Sequence, residues 1–301
     1  MRGRESTSSH DRGSVDFKSR VSSRPGDVMM IASKDVVTVP PTMTIMGVVK
    51  TMVTYGFRRM PVADAGTNRL VGIITSVDLI DFFGGGERYN LVVNKYGGNL
   101  LAAINAEARE IMESDVVTLT EDKSLKDALN AMIKHNTGGL PIVDYKSQIT
   151  GIISERDFMG LIAGKKTGKF VNEYMSERVV TANPNMSLNE ATKIMVSNVF
   201  RRLPVVVDSV LLGIINATDI VKFLGSGEVF SKLITGHVND AFGLPIKTLM
   251  SSDVITIESD VDIGNAAEIM MKKDVGSLPV LQDGKLAGII TESDFLRALA
   301  D

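Results

Sequence analysis

The chain has 301 residues, of which 44% are hydrophobic and 23% are charged, and its formal net charge is −3. This composition is typical of a globular protein with apolar material for two domains, and the charge excludes a general attraction to nucleic acid or anionic membranes. Cysteine is absent, which excludes disulfides and thiolate metal ligands and favours a cytoplasmic location. The sequence also lacks the run of about 18 apolar residues that a membrane helix needs, so no membrane partner is expected.

The first 24 residues are polar and rich in serine and arginine, and they show no apolar periodicity. This pattern predicts a disordered arm over 1–24. The arm has six basic side chains and three acidic ones, so a weak anion-binding tail is an alternative. A solvated arm without a function is the favoured interpretation. The basic residues are Arg2, Arg4, Arg12, Lys18, Arg20 and Arg24.

One short phrase then occurs four times. It reads Gly72-Ile73-Ile74-Thr75-Ser76-Val77-Asp78, Gly151-Ile152-Ile153-Ser154-Glu155-Arg156-Asp157, Gly213-Ile214-Ile215-Asn216-Ala217-Thr218-Asp219 and Gly288-Ile289-Ile290-Thr291-Glu292-Ser293-Asp294. The pattern predicts a buried strand that runs directly into a helix, with the small polar residue at the N-cap and Asp at the third helical position. A capping box would explain both residues. Capping alone would favour Glu or Gln at the third position, however, so the four Asp residues are also candidate ligand-binding residues.

Each copy has two further elements before this phrase. A short strand is predicted at Val36-Val37-Thr38, Val116-Val117-Thr118, Val179-Val180-Thr181 and Val254-Ile255-Thr256, and a helix cap follows six residues later at Thr44, Ser124, Ser187 and Asp262. A strand marked by proline comes next, at Met60-Pro61-Val62, Leu140-Pro141-Ile142, Leu203-Pro204-Val205 and Leu278-Pro279-Val280. The repeating unit is therefore β-α-β-β-α.

The copies also alternate. Copies one and three carry Phe57-Arg58-Arg59 and Phe200-Arg201-Arg202 before the proline strand, whereas copies two and four carry Gly138-Gly139 and Gly276-Ser277. We therefore expect a duplicated pair: repeats at 25–90 and 108–163 form the first half (25–163), and repeats at 170–228 and 245–301 form the second (170–301). The triple glycine at 84–86 is expected to end a helix and act as a hinge, since no Lys-Ser/Thr follows it.

These motifs resemble those of the cystathionine β-synthase (CBS) domain family. The arrangement in one chain is similar to that of archaeal four-CBS proteins related to the γ regulatory subunit of AMP-activated protein kinase, and the Arg-Arg pairs resemble a basic pair of that subunit. The resemblance implies an α/β (α+β) fold in which two Bateman modules form a disc-like, pseudo-symmetric assembly. It also implies clefts that bind adenosine ligands.

An adenine nucleotide needs partners for its ribose, its phosphates and its base. A carboxylate can accept hydrogen bonds from both ribose hydroxyls, and the resemblance implies the same role for Asp78, Asp157, Asp219 and Asp294. Phosphate is expected at the helix N-termini, bound by Thr75, Ser154, Asn216 and Thr291. Asn216 departs from the Thr/Ser pattern, so the third cleft is the one where capping alone is most plausible.

The remaining candidates bind the base and the phosphates. The base is expected against backbone at Val37, Thr38, Val117, Thr118, Val180, Thr181, Ile255 and Thr256, whose side chains are otherwise core residues. Arg58, Arg59, Arg201 and Arg202 are candidate phosphate ligands, and Arg156 is a weaker one. The alternative for the arginine pairs is a solvated pair or a bridge to an acid across the module interface.

We therefore expect a regulatory protein that is not an enzyme and that has no catalytic cofactor and no metal. Its regulatory ligand would be AMP, ADP or ATP, and the regulated protein partner is open. The histidines His10, His135 and His237 show no metal-ligand or triad spacing. One alternative ligand is S-adenosylmethionine or methylthioadenosine, and another function is a scaffold or nucleic-acid binder that uses the basic arm. A monomer with an internal pseudo-dimer and a homodimer both remain open.

Overall fold

The computed structural model describes residues 21–301, so most of the predicted arm lies outside the described residues. Repeat 1 and its linker contain α1 (Val28–Ile31), α2 (Ile45–Tyr55), β1 (Arg59–Ala63), β2 (Leu70–Thr75), α3 (Ser76–Gly84), α4 (Tyr89–Asn94) and α5 (Leu100–Ile104). Repeat 2 contains β3 (Leu119–Thr120), α6 (Leu125–Lys134), β4 (Gly139–Val143), β5 (Ile149–Ser154) and α7 (Glu155–Gly160).

The second half repeats this order. It begins with α8 (Val171–Tyr174), and repeat 3 with its linker contains α9 (Leu188–Ser197), β6 (Arg202–Val207), β7 (Val210–Asn216), α10 (Ala217–Gly225) and α11 (Val238–Phe242). Repeat 4 contains β8 (Ile257–Glu258), α12 (Ile263–Lys272), β9 (Ser277–Gln282), β10 (Lys285–Thr291) and α13 (Glu292–Ala300). The predicted mixed α/β fold is confirmed.

Each repeat is built on one antiparallel hairpin, in which the proline strand pairs with the Gly-Ile-Ile strand. In repeat 1, for example, Met60 lies opposite Ile74, and Pro61 lies opposite Ile73. The predicted caps begin the preceding helices: the side chains of Thr44, Ser124, Ser187 and Asp262 each accept a hydrogen bond from a backbone N–H of the first turn. These helices therefore begin where the sequence predicts.

The opening strands differ from the prediction. Pairing with the proline strand does not include the Val-Thr residues and begins one residue after each threonine, at Val39, Leu119, Ala182 and Ile257. In repeats 1 and 3 it amounts to a single parallel bridge, for example between Val39 and Val62. The Val-Thr residues before these paired residues therefore lie outside the ladder.

The two repeats of each half exchange short pairings. Ser33, just before the opening segment of repeat 1, forms reciprocal 2.9 Å backbone hydrogen bonds with Ile152 of β5, and Glu113, just before the opening segment of repeat 2, does the same with Ile73 of β2. Equivalent bridges join Ser176 to Ile289 and Ile214 to Ser251 in the second half. Repeats 1 and 2 therefore form one module, and repeats 3 and 4 form the other.

The two modules pack together through their helices. One hydrophobic cluster combines residues of repeats 1 and 3, with Phe82, Phe83 and Phe242 fully buried in it. The other combines repeats 2 and 4 around Phe158 and Phe295. Each main core is therefore shared between the two modules.

The end of the predicted arm packs on repeat 2. Val21 is buried in the cluster of repeats 2 and 4, and the carbonyl of Ser22 accepts a hydrogen bond from the backbone N–H of Lys126 in the first turn of α6. Residues 21–24 thus differ from the expectation of disorder, because Val21 has an apolar surface to cover. Within residues 21–301, no helix is both long enough and apolar enough to cross a membrane.

Candidate functional site

The four repeated phrases form the same local structure. Thr75, Ser154, Asn216 and Thr291 are the N-caps of α3, α7, α10 and α13, and each makes a capping box with the Asp three residues later. In the first box, one oxygen of Asp78, Oδ2, accepts hydrogen bonds from both the backbone N–H and the hydroxyl of Thr75, each at 2.7 Å. The capping explanation therefore holds for every copy, and it uses one carboxylate oxygen.

The second carboxylate oxygen distinguishes the copies. Within the part of the chain that the structure describes, Oδ1 of Asp157 and of Asp219 has no hydrogen bond or ion pair. Oδ1 of Asp78 lies 3.1 Å from Nη1 of Arg88, and Oδ1 of Asp294 is paired with Arg297. Two of the four carboxylates thus offer a free acceptor, and two hold an arginine.

All four carboxyl groups lie in partly dehydrated positions. Burial, which disfavours the charged form, raises the pKa of Asp78, Asp157, Asp219 and Asp294 above the usual value. The hydrogen bonds from the N-cap residues act in the opposite direction. A ligand that donates hydroxyl hydrogen bonds to these groups would favour the charged form.

Two cavities lie at the starts of these helices, and Asp157 lines neither of them. The larger has a volume of about 870 Å³ and joins the helix start at Asp78 to the helix start at Asp294. Its walls include backbone segments of the partner repeats, at Val116–Val117 and Val179–Val180. The smaller has a volume of about 230 Å³ and lies between Asp219 and Ile255. Asp78, Asp219 and Asp294 therefore each lie opposite the opening segment of the other repeat in their module.

The four arginines of the Arg-Arg pairs lie where the clefts meet, and all four line the larger cavity. Arg58 and Arg201 are the residues just before β1 and β6, which allows both members of each pair to reach the same space. Arg58 forms an ion pair with Glu292, and Nη1 of Arg201 lies 3.0 Å from Oε2 of Glu155. Both are bridges to an acid in the other module, which is one of the alternatives for these residues.

Arg59 and Arg202 have a different environment. Dehydration, followed by repulsion from Arg201, lowers the pKa of Arg59 to about 10. Dehydration also lowers the pKa of Arg202 to about 10, and its Nη1 donates to the carbonyl of Gly276. Both groups remain charged at neutral pH, and neither forms an ion pair with a carboxylate among the described residues.

The alternation of the copies has a steric reason. A side chain at Gly139 would collide with the guanidinium of Arg59, and one at Gly138 would collide with Arg201, Arg59 and Glu155. At Gly276 it would press on Arg202 and Arg58. The glycines of the even copies make room for the arginines of the odd copies.

Arg156 lines neither cavity, although both of its carboxylate partners do. Its Nη2 lies 2.8 Å from Asp274, and its Nη1 lies 3.5 Å from Glu292, so it bridges repeat 2 to repeat 4. Three other arginines line the larger cavity and were missed in the sequence, namely Arg88, Arg178 and Arg297, the last of which is paired with Asp294. Arg88 lies in a linker, outside the repeated motifs. Arg178 could have been found, since it stands where the other copies have Asp35, Asp115 and Asp253.

Three of the eight predicted base-binding residues line the two cavities, whereas Val37, Thr38, Thr118, Thr181 and Thr256 line neither. Val117 and Val180 line the larger cavity and Ile255 lines the smaller one.

His135 also lines the larger cavity, while the side chain of His237 accepts a hydrogen bond from Asn239 as the N-cap of α11. Over residues 21–301 no cluster of three or more histidine or acidic side chains could hold a metal ion.

Comparison with known proteins identifies the repeats. The model of the CBS domain matches residues 26–85, 108–164, 171–226 and 246–301. This chain belongs to the CBS domain family. The four CBS repeats form two Bateman modules, as the resemblance implied.

The protein MJ1225 of Methanocaldococcus jannaschii is similar over almost its whole length. It is 42% identical over 276 residues, which are 91% of this chain and 99% of the relative. Its crystal structure, described as that of a proposed archaeal homologue of γ-AMPK, matches with a TM-score of 0.86 over 90% of this chain and 99% of that one.

Two more distant relatives are also similar. A 33.4 kDa protein encoded in a ribosomal RNA operon of Thermofilum pendens is 31% identical over 87% of each chain. A conserved protein of Pyrococcus horikoshii, 22% identical, has a structure that matches with a TM-score of 0.58 over 90% of this chain and 99% of that one, and it supports the fold alone.

Proposed function

We propose that this protein is a regulatory protein, not an enzyme, that binds adenine nucleotides in the clefts between its paired CBS repeats. The observation that carries the proposal is the larger cavity. It has a carboxylate at each end, Asp78 and Asp294, and four guanidinium groups between them. This is the order of groups that a ribose diol and a phosphate tail require.

The two ends of the cavity suit a nucleoside that lies across a module. A nucleoside bound at Asp78 would place its base against the backbone near Val117, and one at Asp294 against that near Val180. Because this part of the backbone lies outside the strand ladder, its polar groups can serve the base edge. Asp157 and Asp219 occupy the same position in the other two clefts and would bind a ribose there. Asp219 would do so although its N-cap residue is Asn216 instead of Thr or Ser.

The phosphate groups would contact Arg59 and Arg202. Both are charged, partly buried and without a carboxylate partner, so an anion would relieve the cost of their dehydration. Thr75, Ser154, Asn216 and Thr291 would add contacts at the helix N-termini, although each side chain already donates to its Asp. AMP, ADP and ATP are therefore preferred over S-adenosylmethionine and methylthioadenosine, which lack phosphate.

Isothermal titration calorimetry with adenosine, AMP, ADP, ATP, S-adenosylmethionine and methylthioadenosine tests the ligand. We expect heat with the nucleotides, and no heat with any of the six would overturn the proposal. Arg59→Ala and Arg202→Ala should weaken ATP binding about tenfold and leave adenosine binding unchanged, since only ATP reaches the guanidinium. Arg69→Ala, on the exposed hairpin of repeat 1, is the control.

The same experiment decides between the alternatives. If both arginine variants weaken adenosine and ATP equally, the arginines are structural and a ligand without phosphate is favoured. Nucleotide that is hydrolysed during incubation would indicate an enzyme. Deletion of residues 1–20, which keeps the packed residue Val21, should leave nucleotide binding intact, whereas a scaffold or nucleic-acid binder that uses the arm would lose its partner.

Nucleotide binding would regulate a partner protein through the contact between the modules, because the phosphate-binding residues lie at that contact. A cytoplasmic location follows from the proposal, since adenine nucleotides are abundant there. A monomer already contains both modules, so ligand binding would not require a second copy of the chain.

A further inference from the structure

The even copies carry an acid that the odd copies lack. Glu155 and Glu292 occupy the first helical position of α7 and α13, where α3 and α10 have Ser76 and Ala217. An acid suits the N-terminus of a helix, but the odd copies begin equivalent helices without one. The two glutamates therefore have a role beyond the helix start.

Both glutamates face arginines of the other module. Glu292 of repeat 4 is paired with Arg58 of repeat 1, and Glu155 of repeat 2 is paired with Arg201 of repeat 3. The glutamate side chains are only 3% and 6% exposed, whereas Arg58 and Arg201 are 26% and 31% exposed. The acid is covered in each pair, and the arginine faces the cavity.

The cluster carries an excess of positive charge. The guanidinium groups of Arg58, Arg59, Arg201 and Arg202 form one cluster, and the carboxylates of Glu155 and Glu292 are the two acids that lie among them. Oε1 of Glu292 is buried without a hydrogen bond, and it forms a second ion pair with Nη1 of Arg156, 3.5 Å away. Glu292 thus has a partial substitute for Arg58 if that arginine turns away.

We propose that Glu155 and Glu292 are internal anions that hold Arg201 and Arg58 and release them to the phosphate tail of a bound nucleotide. The proposal rests on the proposed function and adds a determinant of specificity to it. Each carboxylate occupies a guanidinium that a phosphate would bind, and it also repels the phosphate. The two glutamates therefore restrain binding more strongly as the phosphate tail becomes longer.

Release of Arg58 and Arg201 would also link ligand binding to the contact between the modules. Each ion pair joins one module to the other, so a phosphate that takes Arg58 or Arg201 removes a contact between them. A ligand without phosphate leaves both pairs in place. The number of phosphates in the ligand would then decide how firmly the modules are held together.

The test uses Glu155→Gln and Glu292→Gln, singly and together, in the full chain. Titration calorimetry gives the ratio of the dissociation constants for adenosine and ATP. We expect each single variant to raise this ratio about tenfold through tighter ATP binding, with adenosine binding unchanged and AMP binding increased less than ATP binding. Glu268→Gln removes a surface charge paired with Lys272 and should leave the ratio as in wild type.

An unchanged or lower ratio in both single variants would overturn the proposal. If the glutamates only held the modules together, the variants would melt at lower temperature and bind adenosine and ATP more weakly by the same factor. Glu292→Asp keeps the charge and withdraws it from Arg58, so it should also raise the ratio, and it serves if a Gln variant fails to fold.

A second measurement separates this proposal from the proposed function. If wild-type protein binds no adenine ligand, the proposed function fails, but thermal shifts with inorganic tripolyphosphate still test the internal anions. We expect a larger rise in melting temperature for the Gln variants than for wild type. Equal shifts would overturn the role of the glutamates.

Discussion

At the scale of the residue, Val199 has a backbone conformation that its side chain disfavours. Its φ is 57°, in the left-handed region, where a β-branched residue is rare. Val199 lies at the end of α9. The equivalent residues at the ends of α2, α6 and α12 are Gly56, Asn136 and Asp274, with φ of 68°, 48° and 53°. Glycine, asparagine and aspartate tolerate this conformation, so repeat 3 alone places a strained residue there.

We therefore expect Val199→Asn to raise the free energy of unfolding by about 1 kcal/mol, because Asn enters the left-handed region at lower cost. The side chain of Val199 is 66% exposed, so little packing is lost. Asn136→Val is the matched change and should lower the free energy of unfolding by a similar amount. Urea denaturation measures both, and a destabilised Val199→Asn would show that the side chain packs favourably.

The sequence predicted the residues of each copy better than the contacts between copies. Thr75, Asp78 and their equivalents are determined by neighbours three positions away, so their capping boxes follow from local chemistry. The ion pair of Arg58 with Glu292 joins residues 234 positions apart. It depends on which repeats face each other across the modules, and no local pattern contains that information.

At the scale of the element, α3 and α9 approach closely at the contact between the modules. The hydroxyl of Thr192 on α9 donates to the carbonyl of Gly84 at 2.7 Å, and a side chain at Gly84 would collide with Thr192. Gly85, with φ of 101°, ends α3 in the left-handed conformation. The predicted helix end at the triple glycine is therefore confirmed, whereas the close approach of a second helix was not predicted.

Gly84→Ala should lower the free energy of unfolding by about 1–3 kcal/mol, because the added methyl group has no space between the two helices. Chemical denaturation followed by circular dichroism measures the loss. Gly66→Ala is the control, since a side chain in that exposed hairpin would meet only an ordinary contact at 3.6 Å from Asp64. Equal stabilities of the two variants would mean that α3 and α9 separate at little cost.

At the scale of the whole molecule, the two main cores do not coincide with the two modules. The modules follow the chain order, with repeats 1 and 2 in one and repeats 3 and 4 in the other. The two main cores combine repeat 1 with repeat 3, and repeat 2 with repeat 4. The duplication in the sequence predicted the modules, but not which helix faces would share a core, because all four repeats have an apolar helix face.

A single thermal transition is expected for this reason. Each module contributes residues to both cores. Unfolding of one module would expose the core residues of the other to water, so neither module is stable while its partner is unfolded. Calorimetry without ligand should give equal calorimetric and van't Hoff enthalpies. Two resolved transitions would contradict this expectation and would show that the modules fold independently.

The linkers of the two halves meet at one point. Asn99 and His237 begin the equivalent helices α5 and α11, and the residues beside them form reciprocal hydrogen bonds: Leu100 N–H to Gly236 at 3.0 Å, and Val238 N–H to Gly98 at 2.9 Å. Contact between equivalent residues marks a twofold axis, as at the interface of two identical subunits. The same contact would form in a homodimer of one ancestral module. Joining two such subunits through residues near 164–168 gives the present order of repeats, in which each module has an arginine pair in its first copy and a glutamate in its second.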